Sequence, residues 1–233
     1  MIFYVPDING DKCVLDEDES AHAVKVLRLK KNDKVTLTDG KGGNYDAVIT
    51  HPHAGRCEAL VTGRRQQVPQ RRYYLHIAIA PTKNIDRFEW FVEKSAEIGI
   101  DEITPVLCEH SERKNVRAER AQRIATAAMK QSGQAYLARI NTMLPFADWL
   151  AGCTGDKKLI AYCGDVEKSA LRNVYEPGKS VAVAIGPEGD FSREEVQRAL
   201  AAGFDCITLG ESRLRTETAG IVACHAVCFM NGA

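Results

Sequence analysis

The sequence predicts an α/β domain preceded by a small β domain, on three observations. From Tyr73 onward, strand-like runs that are apolar throughout alternate with helical stretches, the pattern of a parallel sheet buried on both faces. Before residue 70, short runs alternate apolar and polar positions between glycine-rich turns, as half-buried strands do. Between the two lies GRRQQVPQRR (63–72), polar, basic and broken by Pro69. The boundary belongs there, giving domains 1–70 and 73–233.

In the first domain, SAHAVKVLRLKKND (20–33) reads as a short helix opened by Ser20, with Lys25, Arg28, Lys30 and Lys31 projecting from it. VTLTDG (35–40), KGGN and YDAVIT (45–50) form a hairpin pattern, and CEALVTG (57–63) follows at similar spacing, which suits a small barrel or sandwich. In the second domain, strand YLHIAIA (74–80) precedes the amphipathic DRFEWFVEKSAEIG (86–99), strand ITPVLC (103–108) and helix AERAQRIATAAMKQSG (118–133), ended by Gly133. Strand KLIAYCG (158–164), a short helix near 168–175, strand SVAVAIG (180–186), a helix from Arg193, strand FDCITLG (204–210) and a helix from about 216 complete the chain.

Composition narrows the function. With 45% hydrophobic residues and 31 Lys plus Arg against 31 Asp plus Glu, the chain is not of the disordered class. No run approaches the ~18 apolar residues of a membrane helix, and MIFYVPDING is not a secretory signal, so a cytoplasmic protein is expected. The eight cysteines contain no C-x-x-C pair, so no metal site is expected. Cys224, His225 and Cys228 lie within about one turn of an apolar helical segment, where the cysteines read as small buried hydrophobes. Neutral net charge would argue against nucleic acid, but residues 21–72 hold eleven Lys or Arg against four acids, and residues 113–139 seven against one. Each stretch is either a phosphate-tracking surface or a solvated face.

Chemistry concentrates late in the chain. Neither G-x-G-x-x-G after the first strand of the α/β domain nor a P-loop occurs, which disfavours a dinucleotide enzyme of Rossmann type. Instead, AIGPEGDFSREE (184–195) and ITLGESRLRTETAG (207–220) each follow an apolar strand and precede a helix. Gly186 and Pro187 force a turn, Gly189 permits close backbone approach, and Ser192 with Glu195 forms a capping box. Either these are capped β–α connections, or they are opposite walls of one pocket at the carboxyl ends of parallel strands. Arg215 would then hold a carboxylate or phosphate, its other reading being a structural ion pair.

GPEGDFS (186–192) with LGESRLRTETA (209–219) resembles the cofactor loops of the RsmE-like 16S ribosomal RNA uridine-N3 methyltransferases of the SPOUT superfamily. HAVKVLRLKKND (22–33), KNIDRFEWFVEKSAEIGIDEITPV (83–106) and AAMKQSGQAYLARI (127–140) look like the same family, so the resemblance covers nearly the whole chain in order. It implies a PUA-like RNA-binding β-barrel domain and a SPOUT α/β domain with a C-terminal trefoil knot, the cofactor site and knot lying near 160–220. It also implies a homodimer that uses S-adenosyl-L-methionine to methylate N3 of a uridine, uridine 1498 in the family, in 16S rRNA of the small ribosomal subunit.

By that likeness Ile185, Gly186, Pro187, Glu188, Gly189, Leu209, Gly210, Leu214, Arg215 and Thr216 surround the cofactor, with Tyr162, Cys163 and Gly164 as a third wall. Arg215 is the residue expected to stabilise charge on the uracil, and Glu188 and Glu217 are candidate bases. Lys25, Arg28, Lys30, Lys31, Arg113, Lys114, Arg117 and Lys130 are the expected RNA contacts, with Arg120 and Arg123 beside them. Two departures stand out: Asp190 occupies a common glycine position, and Gln134 stands where many members carry an arginine, leaving Lys130 or Arg139 to substitute. A SPOUT enzyme with another RNA target, or a non-catalytic RNA-binding protein, would share most of these features.

Overall fold

A computed structural model describes residues 1–65 and 67–232; Gln66, inside the predicted linker, and Ala233 lie outside the described residues. The chain forms two compact units: Met1–Gln70 with Met129–Leu137, and Arg71–Ala128 with Ala138–Ala233.

The first unit holds β1 (Ile2–Tyr4), β2 (Lys12–Val14), α1 (Glu17–Ala21), β3 (Lys34–Thr38), β4 (Asn44–His51) and β5 (Glu58–Arg64). They form one half-barrel sheet in the order β1-β3-β4-β5-β2, antiparallel except for the β1–β3 pair. Period-two alternation sends Val35, Leu37, Ala47, Ile49, Ala59 and Val61 inward, where they meet Phe3, Leu15 and Ala23. Residues 129–137 join this unit through an edge: Lys41 bridges Tyr136, Gly42 N–H donates to Ala135 O at 2.9 Å, and Leu137 N–H donates to Gly40 O at 2.9 Å.

The helix expected over 20–33 is corrected. Asp16, not Ser20, opens α1, its carboxylate accepting the Glu19 N–H at 2.7 Å. Ser20 is buried: it donates to Leu15 O (3.0 Å) and accepts from Cys57 N–H (2.8 Å). After α1 the chain makes one π-helical turn, His22–Val26, and leaves helical geometry at Arg28, whose φ is 55°.

The second unit contains β6 (Leu75–Ile79), α2 (Ile85–Ile98), β7 (Glu102–Leu107), most of α3 (Ala118–Ser132), β8 (Arg139–Ile140), β9 (Leu144–Pro145), α4 (Phe146–Gly152) and β10 (Lys157–Ala161). There follow β11 (Ser169–Ala170), α5 (Leu171–Val174), β12 (Val181–Ile185), α6 (Arg193–Ala201), β13 (Asp205–Thr208) and α7 (Thr216–Met230). The sheet is parallel, in the order β11-β13-β10-β12-β6-β7-β8. Every residue of β12 is buried, as an unalternated apolar run requires. The expected helix near 168–175 is a two-residue strand and a single turn.

Helices cover both faces. Phe88, Phe91, Ala125 and Val227 pack with Ile77, Ile79 and Val183 on one side; Phe146, Trp149, Val196 and Phe204 pack with Ala78, Ile160 and Ala184 on the other. On the first side α7 approaches α2 closely at Gly220, where an added Cβ would stand 2.5 Å from the fully buried Phe91 ring. Cys224 and Cys228 belong to this core, as their apolar surroundings predict.

Candidate active site

Strands β13, β10 and β12 lie side by side, with Ala161 in register between Ile207 and Ile185. Their carboxyl ends release three loops from one edge of the sheet, and a cavity of about 560 Å³ opens among them. Parallel strands leave such a crevice because their crossover helices turn away at this edge. Ala161, Ile185, Ile207 and Leu209 give it an apolar floor. Arg87, Lys168, Arg213 and Arg215 oppose Glu188, Asp190, Glu211 and Glu217 around it, so the rim offers both charge signs without a net field of either.

The two glycine loops are fastened together. Thr216, the first residue of α7, is buried, and its hydroxyl donates to Gly186 O at 3.1 Å. Beyond the turn, Ser192 caps α6 in the expected box: its Oγ accepts the Glu195 N–H (3.3 Å), and Glu195 Oε2 accepts the Ser192 N–H (2.9 Å). The third loop is tied in by Asp190, whose Oδ2 accepts the Cys163 N–H at 3.0 Å, and is closed on itself by Lys168, which donates to Gly164 O at 2.8 Å. Asp190 itself sits at φ 64°, the left-handed region that favours glycine and that Asp tolerates better than most residues.

Tyr162, Cys163, Ile185, Gly186, Pro187, Glu188, Leu209, Gly210, Leu214, Arg215, Thr216 and Glu217 all face the cavity, whereas Gly164 and Gly189 do not. Gly164 is covered by the Tyr162 ring, and Gly189 faces the loop after β7. Burial and the Asp190 charge push the Cys163 thiol up. Arg87, from the first turn of α2, lines the cavity although it was not among the expected site residues. Only chain topology brings it there.

The three candidate catalytic side chains differ sharply. Arg215 is exposed to the cavity and its guanidinium has no protein partner among the described residues. Glu188 is engaged instead: its Oε1 accepts the Lys83 N–H at 2.9 Å, while Arg113 donates to Thr82 O and Lys83 O at 3.0 and 2.6 Å. That arrangement anchors the loop before α2. Glu217 is buried, with Oε1 3.9 Å from Arg87 Nε and Oε2 hidden without a partner.

The candidate RNA contacts also divide. Lys25, Arg28, Lys30, Lys31, Lys114, Arg117, Arg123 and Arg139 are exposed. Arg113 is committed to the carbonyls above, Arg120 makes a two-pronged pair with Glu89 (2.5 and 2.7 Å), and the Lys130 ammonium donates to the buried Glu19 carboxylate. These three cations each have a partner within the protein. Counting lysines and arginines could not reveal that, because their partners lie roughly thirty to over a hundred residues away in sequence.

A half-barrel β unit joined to a parallel α/β unit with a fastened two-loop pocket defines the class of RNA methyltransferases that carry a PUA domain. The RNA methyltransferase domain family matches residues 69–228, and the RNA methyltransferase PUA domain family matches residues 15–62. The chain belongs to the family of ribosomal RNA small subunit methyltransferase E. It is 30% identical over 223 residues to that protein of Rickettsia conorii, covering 92% of this chain and 88% of the relative. Among solved structures it is similar to a probable rRNA methyltransferase from Porphyromonas gingivalis (43% identity, TM-score 0.90, 99% and 98% coverage). It is similar also to ribosomal RNA small subunit methyltransferase E from Neisseria gonorrhoeae bound to S-adenosyl methionine (29% identity, TM-score 0.85, 98% and 97% coverage).

Proposed function

We propose that this protein methylates N3 of a uridine in 16S rRNA of the small ribosomal subunit, using S-adenosylmethionine held in the cavity between the 186–190 and 209–216 loops. The observation that carries this reading is the Thr216–Gly186 fastening, which makes one pocket of two glycine loops at the ends of the parallel strands β12 and β13 on either side of β10. The residues present suit the cofactor. An apolar floor can take an adenine, the backbone groups of Gly186, Leu209 and Gly210 can read its edge, and charges of both signs can receive an amino-acid moiety. The cofactor, when bound, supplies a sulfonium methyl that is already activated.

The protein's own task is to orient the uracil and to stabilise negative charge when its N3 loses a proton. Arg215 is suited to this because a guanidinium donates several hydrogen bonds without titrating. Arg215→Ala is expected to lower kcat by about a hundredfold while cofactor affinity stays within a few-fold. Turnover close to the parent's would remove Arg215 from that role. The substrate uridine has to leave its stack to enter the pocket, which favours assembled subunits over free RNA fragments.

The same reading includes a knotted C-terminal segment, a cytoplasmic setting and a homodimer. Dimerisation is supported by a stripe on α7, where Phe229 is 69% exposed and stacks on His225. Trp90 of α2 is also exposed. Exposed aromatics of this size favour a covering partner. Phe229→Asp is expected to give a monomer by light scattering, and an unchanged mass would place the interface elsewhere. The decisive test of function is incubation with labelled S-adenosylmethionine and small subunits from a strain lacking the enzyme, followed by mass spectrometry of the rRNA. A methyl on uridine N3 is expected; label at another base or none would refute the assignment.

A further inference from the structure

The loop after β7 reaches the outer side of the 186–190 turn without entering the cavity. It is itself rigid. Ser111 Oγ accepts the Cys108 N–H at 3.0 Å, and the buried Glu195, already closing the α6 capping box through Oε2, accepts the Glu109 N–H through Oε1 at 2.9 Å. This fixes His110, whose Nδ1 lies 3.2 Å from Gly189 O and 3.0 Å from Asp190 O. Carbonyl oxygens only accept, so Nδ1 carries the proton and donates to both. The approach is close: a Cβ on Gly189 would stand 3.0 Å from the His110 Cβ. The two carbonyls it holds flank the left-handed Asp190, whose carboxylate in turn secures Cys163 on the far wall of the cavity.

We propose that His110 is a positioning residue for the cofactor: by clamping the Gly189 and Asp190 carbonyls from outside, it holds the 186–190 turn in the shape that binds S-adenosylmethionine. This rests on reading the cavity as the cofactor site. His110 touches neither cofactor nor uridine in this scheme, so it sets affinity and not the methyl-transfer rate. Its exposure means that removing it costs little packing.

The test measures S-adenosylmethionine binding by calorimetry, and KM and kcat on small subunits, for the parent, His110→Ala and His110→Asn. An Asn amide places an N–H close to where Nδ1–H stands. For His110→Ala the Kd and KM for the cofactor should rise about tenfold, with kcat at saturation within twofold of the parent and an unchanged melting temperature. His110→Asn should recover most of the affinity. Parent-like binding by the Ala variant, or an Asn variant as weak as Ala, would overturn the proposal while the parent still binds. A parent that binds no S-adenosylmethionine would instead overturn the reading of the cavity.

Discussion

At the scale of single residues, Asp190 concentrates the tension between local conformation and site geometry. Its left-handed φ disfavours any side chain, yet its carboxylate is what ties the 162–164 loop to the 186–192 loop. The two effects separate by substitution. Asp190→Ala keeps the unfavourable φ and loses the acceptor, so about 1 to 2 kcal/mol of stability should be lost together with cofactor affinity. Asp190→Gly relieves the φ but leaves the Cys163 N–H unanswered, so stability should recover in urea titrations while affinity does not. If the Gly variant were as unstable as the Ala variant, conformational strain at this position would be the wrong account. The sequence marked Asp190 as a departure but could not show its bond to Cys163, because that contact spans the width of the pocket. Gly186, Ser192 and Glu195 were legible because a turn and its cap are local chemistry.

At the scale of elements, the α2–α7 contact shows why a helix of small residues follows the second loop. Gly220 costs α7 about 1 kcal/mol of helix propensity relative to Ala, which would favour replacement on an exposed face. Here the Phe91 ring and Ile79 Cδ1 occupy the space, at 2.5 and 3.0 Å from an added Cβ, and Phe91 has no room to retreat. Gly220→Ala should therefore destabilise by about 1 to 3 kcal/mol despite the better helix former. A raised urea midpoint would show that the interface has slack. The periodicity of α2 and the unbroken apolar run of β12 predicted both elements and their layers. It predicted neither the helix–helix approach nor the delivery of Arg87 into the cavity, because both depend on strand order. The misplaced start of α1 has a local cause: in DEDES several residues can cap, and burial of Ser20 decides among them.

At the scale of the whole molecule, neutral net charge conceals two populations of cations. Lys25, Arg28, Lys30 and Lys31 stand exposed on the β unit, whereas Lys130 neutralises a buried carboxylate. Removing one of the first group, such as Lys31→Ala, should reduce the slope of log K against log salt for small-subunit binding by about one and leave stability alone. Lys130→Ala should do the reverse. It strands Glu19 and costs about 3 kcal/mol, with the salt slope unchanged. Salt-dependent binding and urea titrations of the two variants would distinguish these outcomes, and a reduced slope for Lys130→Ala would return that residue to the RNA surface.

The first unit takes its residues from two stretches, and the later one ends at Leu137. Protein synthesis is vectorial. When Gln70 has left the ribosome, the turn at Gly40 and Gly42 still lacks the strand-like edge that Ala135 and Leu137 will provide. At about 5–20 residues per second, that edge arrives only after several more seconds of elongation. The amino-terminal unit, first to be translated, must therefore wait for much of its neighbour before it can close.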